Sequence, residues 1–172
     1  MWLRGNMRFV FISLICFCVT ACGFTPVYQD TNKPNAAQTE MASIDVAVIP
    51  NFEGQTVRNF LIDRLYNDGY PTNPEYRLVT SPILERTIEI GIDRDDNASR
   101  AQLRQSANFK LIRLNDNAVI LNETVLATTG YNILDGSFTT FVTEGDARVQ
   151  ALRTLSDKII IQLELYFNRN GA

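Results

Sequence analysis

Tyr76-Arg77-Leu78-Val79-Thr80-Ser81-Pro82-Ile83-Leu84-Glu85-Arg86-Thr87-Ile88-Glu89-Ile90-Gly91-Ile92 places apolar side chains at the even positions Tyr76, Leu78, Leu84, Ile88, Ile90 and Ile92. The odd positions Arg77, Ser81, Glu85 and Glu89 are polar. A period of two is that of a strand with one face buried and one in water. The stretch therefore predicts one long strand of an antiparallel sheet. Pro82 has no N–H to give to a ladder, so it implies an edge position, a bulge or a bend.

Downstream, residues 91–100 are rich in Asp and Asn and read as a turn region. Leu103, Ala107, Phe109 and Leu111 then mark the inner face of a second strand. Asn115-Asp116-Asn117 makes the next turn, and Val119, Leu121, Val125, Ala127 and Tyr131 give a third strand. Residues 130–141 form a Ser/Thr/Gly-rich connection. A long helix opens at Thr143 or Glu144, with Asp146 placed where the helix dipole favours negative charge. Its apolar stripe is Ala147, Ala151, Leu152, Leu155, Ile159, Leu163 and Tyr166.

Upstream, Ile44-Asp45-Val46-Ala47-Val48-Ile49 reads as a short strand ended by Pro50. Residues 54–67 follow helical spacing through Val57, Phe60, Leu61 and Leu65, and Gly69 and Pro71 stop them. The expected fold is α+β, with two helices packed on one face of a four-stranded, mostly antiparallel sheet in the order β-α-β-β-β-α.

The N-terminus sets the compartment. Arg4 and Arg8 precede an apolar run of about ten residues, too short for a bilayer core that needs about twenty. The run closes on Val19-Thr20-Ala21-Cys22, which reads as a bacterial lipobox. Residues 1–21 are then a signal peptide. Cys22 is the acylated first residue of the mature chain, carrying a diacylglyceryl thioether and an N-acyl chain, enough buried lipid for stable anchoring. Residues 22–43, polar around Asn32, Pro34 and Asn35, form an extended tether. Residues 44–172 make a single domain.

Composition removes several chemistries. Loss of Arg4 and Arg8 with no acid takes the formal charge from −3 to −5, a poor start for neutralising nucleic-acid phosphates. The chain has no His. Cys16 and Cys18 leave with the signal peptide and Cys22 is acylated. Thiol or imidazole metal sites, Cys nucleophiles and Ser-His-Asp catalysis are therefore unavailable. No cofactor is expected beyond the covalent lipid.

The mature start Ala21-Cys22-Gly23-Phe24-Thr25-Pro26-Val27-Tyr28 is followed by Gly54-Gln55, Arg58-Asn59, Asp63-Arg64-Leu65 and Gly69-Tyr70-Pro71. Further on come Gly91-Ile92-Asp93, Arg100-Ala101-Gln102-Leu103, Tyr131-Asn132 and Glu144-Gly145-Asp146-Ala147. Taken in order, these segments resemble the alphaproteobacterial form of the lipopolysaccharide-assembly lipoprotein family LptE. The resemblance implies a non-enzymatic outer-membrane lipoprotein on the periplasmic face, pinned to the inner leaflet. Its implied partners are the LptD β-barrel, which it plugs and helps to assemble, and lipopolysaccharide. Gly23, not Asp, after Cys22 agrees with sorting to the outer membrane.

The resemblance directs attention to Arg94, Arg100 and Arg104 around the turn between the first two long strands. Guanidinium groups form charge-assisted, often bidentate hydrogen bonds to phosphate, which makes these three candidates for lipopolysaccharide contact. Asp93, Asp95 and Asp96 lie in the same loop, and a solvated turn of weak ion pairs is the competing reading. Clustered oxygens there invite calcium, but the spacing is not that of an EF-hand loop. Lys110 and Arg113 are an odd number of residues apart, so a regular strand points them to opposite faces.

Tyr131, Phe138 and Phe141 stand among Ser, Thr and Gly, and aromatic anchors in a polar surround suit a contact with the barrel. Capping of the core is the alternative for these rings. Glu85 and Glu89 share a strand face and are read as polar surface; as a catalytic pair they would need a cleft that separates their pKa values. The alternative function is an unrelated periplasmic lipoprotein, either a small-molecule-binding module or a carboxylate-based cell-envelope hydrolase.

Overall fold

The computed structural model describes residues 36–67, 69–92, 98–133 and 137–170, all within one compact unit that begins at Pro34. The elements in order are α1 (Ala36–Ala42), β1 (Ile44–Val46), α2 (Asn51–Leu65) and β2 (Tyr76–Thr80). They continue with β3 (Leu84–Ile92), β4 (Ala98–Arg113), β5 (Val119–Asn132) and α3 (Ser137–Asn170). The α+β class is as expected. The described residues hold five strands and three helices, where four and two were read from the sequence.

The long strand β4 organises the sheet. Antiparallel β5 lies along one side of it from Arg100 to Ile112. On the other side β2 pairs with Phe109–Arg113 and β3 with Ala98–Ser106, so the two halves of the 76–92 stretch share one neighbour. β1 adds to β2 in parallel through the α2 crossover, which makes the sheet mixed.

The break at Ser81-Pro82-Ile83 has a consequence that period-two reading could not show. Leu84 is four positions beyond Thr80, while its partner Ser106 is only three before Phe109, the partner of Thr80. One extra residue on one strand reverses the side to which every later side chain points. Leu78 and Thr80 face the helices and are buried. Beyond the break the odd residues Glu85, Thr87 and Glu89 take that side, opposite Gln105, Leu103 and Ala101. The apolar residues Leu84 and Ile90 turn outward, and Leu84 is 69% exposed. The expectation of one buried even-numbered face across 76–92 is thus corrected. A second register shift, between Leu111 and Ile112, likewise turns Val119 outward.

The core lies between the inner sheet face and the helices. Leu103, Phe109 and Leu111 from β4 meet Leu152, Leu155, Ile159 and Leu163 from α3 and Val57 and Leu61 from α2, all fully buried. Gly54 lets α2 approach the preceding loop, since a Cβ there would come within 2.6 Å of Ile49 Cγ2. Arg64 bridges to Asp157 at 2.7 Å and Arg153 stacks 4.6 Å over Phe60, tying α2 to α3. The open edge of β1 is closed by Tyr66, whose hydroxyl accepts from the Val46 N–H and donates to the Ile44 carbonyl, both at 2.9 Å. Unpaired strand edges invite association, and this side chain occupies one.

Residues 36–42, expected at the end of an extended tether, form α1. Ala37 and Met41 are buried in the core, and that apolar contact is why the segment is helical and packed. Likewise α3 begins at Ser137, six residues before the expected start at Thr143, so Phe138 and Phe141 sit on a helix and not in a connection. No described helix is long and apolar enough to cross a membrane.

Candidate functional site

The outer face of the sheet is where alternation, register and charge combine. From β3 it receives Leu84, Arg86, Ile88 and Ile90. From β4 it receives Arg100, Gln102, Arg104 and Lys110, and from β5 Leu126 and Thr128. Arg86 is the direct cross-strand partner of Arg104, and Ile90 of Arg100. Like charges placed opposite each other repel. Among the described residues none of Arg86, Arg100, Arg104 and Lys110 is in an ion pair. Arg100 Nε donates to Asn132 Oδ1 at 3.3 Å, and Arg104 Nε donates to Gln102 Oε1 at 3.0 Å. Glu85, Glu89 and Glu123 all fall on the helix-facing side of their strands. Among the described residues, the outer face therefore joins guanidinium groups without an ion-pair partner to exposed Leu84, Ile90 and Leu126.

Arg100 and Arg104 thus lie on a strand face, not in a turn. Arg94, with Asp93, Asp95 and Asp96, lies outside the described residues, as does Cys22. Arg86 was missed because its even number, read without the break at Pro82, placed it on the apolar face expected to be buried. Its partnership with Arg104 depends on register, for which the sequence holds no local signal.

The helix-facing side of β3 is polar and tightly organised. Arg148 of α3 donates to Glu85 from Nε at 3.0 Å and from Nη2 at 2.9 Å, and from Nη2 to Glu144 Oε1 at 2.6 Å. Gln105, fully buried, donates from Nε2 to Glu85 Oε2 at 2.7 Å. Burial by itself would raise the Glu85 carboxyl. The hydrogen bonds from Arg148 and Gln105, with the Arg148 charge, outweigh it and hold that carboxyl below the ordinary range. Glu85 was read as surface; the reversed parity turns it inward, where it fastens β3 to α3. Its carboxylate is engaged by Arg148, an arrangement that suits a brace better than acid-base chemistry.

Of the three aromatic candidates, Tyr131 packs against the core on the inner face, opposite Ala101. Phe138 and Phe141 are 78% and 73% exposed on the first turns of α3. Val142 and Val149 continue that exposed apolar stripe at helical spacing. Lys110 is exposed on the outer face, while Arg113 pairs with Tyr76 on the inner one.

Residues 41–163 match the lipopolysaccharide-assembly family LptE. The chain belongs to the LptE family. It is accordingly a lipopolysaccharide-assembly lipoprotein, non-enzymatic and independent of cofactors, in a family associated with the cell envelope. An uncharacterized protein of Rickettsia prowazekii (strain Madrid E), RP188, is 23% identical over 163 residues, covering 95% of this chain and 99% of that one. Among solved structures, a lipoprotein of Caulobacter crescentus CB15 is 19% identical with a TM-score of 0.61, covering 77% of this chain and 96% of that one. The rare lipoprotein B of Shewanella oneidensis is 10% identical with a TM-score of 0.60, covering 75% and 98%. These two share the fold of this LptE-family chain.

Proposed function

We propose that this chain is an outer-membrane lipoprotein of the lipopolysaccharide export machinery, anchored through acylated Cys22 after removal of residues 1–21. The anchor holds the domain at the periplasmic face of the inner leaflet, and the domain braces and plugs an LptD-type β-barrel. The exposed stripe of Phe138 and Phe141 offers the apolar anchors that such a contact needs. Arg86, Arg100 and Arg104 receive phosphate groups of lipopolysaccharide, with Arg94 close by in sequence.

The observation that carries this reading is the cross-strand Arg86–Arg104 pair on the outer sheet face, flanked by exposed Leu84 and Ile90. Two facing guanidinium groups repel until an anion lies between them, and phosphate accepts several charge-assisted hydrogen bonds at once. Apolar neighbours suit the acyl part of an anionic amphiphile. Lipid A binding by the triple variant Arg86→Ala, Arg100→Ala and Arg104→Ala tests it. Affinity should fall by at least about tenfold, the loss of one charge-assisted contact or more; unchanged affinity sinks the reading. For the barrel, Phe138→Asp should abolish co-purification of the β-barrel while acylation persists.

A further inference from the structure

Strand β5 leaves a long edge of the sheet open. The Ser81 N–H donates to the Asn108 carbonyl at 2.8 Å, and the Asn108 N–H donates to Ser81 Oγ at 3.0 Å. Even residues of β4 therefore turn their backbone groups toward β2 and β3, and odd residues turn theirs toward β5. Gln105, Ala107 and Phe109 stand opposite Ala127, Val125 and Glu123, whose backbone groups complete that ladder. The N–H and C=O groups of Asn122, Thr124, Leu126 and Thr128 consequently point away from the sheet. Among the described residues no strand pairs with them. One is capped: Lys158 Nζ of α3 donates to the Leu126 carbonyl. Exposed edges are usually blunted by proline, by charge or by shortness. The 14 residues of β5 hold no proline and a single charge, Glu123.

The helix flank above this edge is apolar. Lys158, Ile161 and Leu165 recur at spacings of three and four and share one side of α3. Lys158 reaches the β5 edge, so that side overhangs it, and Ile161 and Leu165 are 49% and 48% exposed there. Helix and strand run in opposite directions, since Ile120 borders the same cavity as Tyr166 and Phe167 while Leu126 meets Lys158. Midway between Ile161 and Leu165, α3 has risen about 7.5 Å past Lys158, the length of about two strand residues. Ile161 and Leu165 therefore bracket the level of Thr124. Glu123 lies beside that level on the helix-facing side, exposed and without an ion pair among the described residues.

We propose that the β5 edge binds a second copy of this chain, added antiparallel about a two-fold axis at Thr124. Such an axis lets one patch serve both partners. It sets Thr124 opposite Thr124 of the second copy and Asn122 opposite Leu126, so their outward N–H and C=O groups meet. Glu123 of each copy then lies beside Lys158 of the other, and Lys158 exchanges the Leu126 carbonyl for a carboxylate. Ile161 and Leu165 of the two α3 helices are drawn together over a continuous sheet. The acid of β5 and the base above its edge are complementary under this symmetry, which favours a second copy over an unrelated strand. The surface is separate from the Arg86–Arg104 pair, which lies on the far side of β4 from β5.

The test uses the full chain in detergent, with micelles in large excess so that two chains do not share one by chance. Sedimentation velocity in density-matched detergent should show a concentration-dependent dimer. Lys158→Glu should weaken it about tenfold, because two acids then face each other. Adding Glu123→Lys to that variant exchanges the two signs and should restore most of the affinity. Thr124→Cys should give a disulfide-linked dimer on mild oxidation, since residues on the axis of an antiparallel pair lie within disulfide reach. The unsubstituted chain supplies the background, and Gln55→Cys on the exposed side of α2 supplies the control for random collision. A monomer at every concentration overturns the proposal, whether its β5 edge stays open or is taken by residues 22–35 or by another protein. Equal cross-linking of Gln55→Cys, or a double variant as weak as Lys158→Glu, overturns it as well.

Discussion

Arg148 grips Glu85 across the helix–sheet interface through both Nε and Nη2, at 3.0 and 2.9 Å, from side chains 63 positions apart in sequence. Each side chain is only 26% exposed, so water screens the pair incompletely. Removing the guanidinium would strand Glu85 beside buried Gln105. Arg148→Ala is therefore expected to lower unfolding free energy by about 1–3 kcal/mol, measured by urea denaturation, the usual cost of orphaning a partly buried polar group.

The same pair sets an acid limb. Because the folded Glu85 carboxyl lies below its ordinary value, the unfolded chain binds its proton more readily. The stabilisation is complete above the unfolded carboxylate pKa of about 4.3 and is lost as pH falls through the lower folded value. Glu85→Gln should flatten that limb; an unaltered acid profile would show that other carboxylates control it.

At the alkaline end the tyrosines act with the opposite sign. Burial raises the Tyr66 hydroxyl despite the bond from Val46, and burial with the Glu40 bond raises Tyr76 to about 12. Both contribute stability that is full below the ordinary tyrosine value of about 10 and is lost as pH rises through the folded values. Tyr66→Phe also strips the donor and acceptor from the β1 edge. It should cost about 1–3 kcal/mol at neutral pH and flatten the alkaline loss seen in thermal melts.

Reversed parity beyond Pro82 separates two kinds of apolar residue in one stretch. Leu78 is fully buried, and Leu78→Ala is expected to cost about 2–5 kcal/mol. Leu84→Ser and Ile90→Ser, on the outer face, should each change stability by less than about 0.5 kcal/mol. A loss of several kcal/mol at Ile90 would restore the unbroken-strand reading.

Gly54 gives a case in which helix propensity misleads. Alanine in a helix is favoured over glycine by about 1 kcal/mol. Here the new Cβ would lie 2.6 Å from Ile49 Cγ2 and 3.0 Å from the Ile49 carbonyl carbon and oxygen. Gly54→Ala should be net destabilising, by about 1–3 kcal/mol of overpacking, visible as a lower melting temperature.

Much of the architecture is written locally. The α3 stripe from Ala147 to Leu163 and the inner residues Leu103, Ala107, Phe109 and Leu111 of β4 are buried as their spacing requires, because helical and strand periods act within a few residues. Pro82 announced an interruption, since a missing N–H is a property of the residue itself. The Val19-Thr20-Ala21-Cys22 string, the lack of histidine and the resemblance to the LptE family are equally properties of the chain as written.

What only the tertiary structure decided is how the interruption is counted against its partner. Four steps from Thr80 to Leu84 oppose three from Phe109 to Ser106, and that mismatch belongs to two strands, not to either alone. It sends Glu85 inward to Arg148 and brings Arg86 opposite Arg104 on the outer face. Packing likewise drew residues 36–42 into α1, through Ala37 and Met41, where polar composition suggested a tether. Side-chain period is local, but register and burial depend on what lies across the gap.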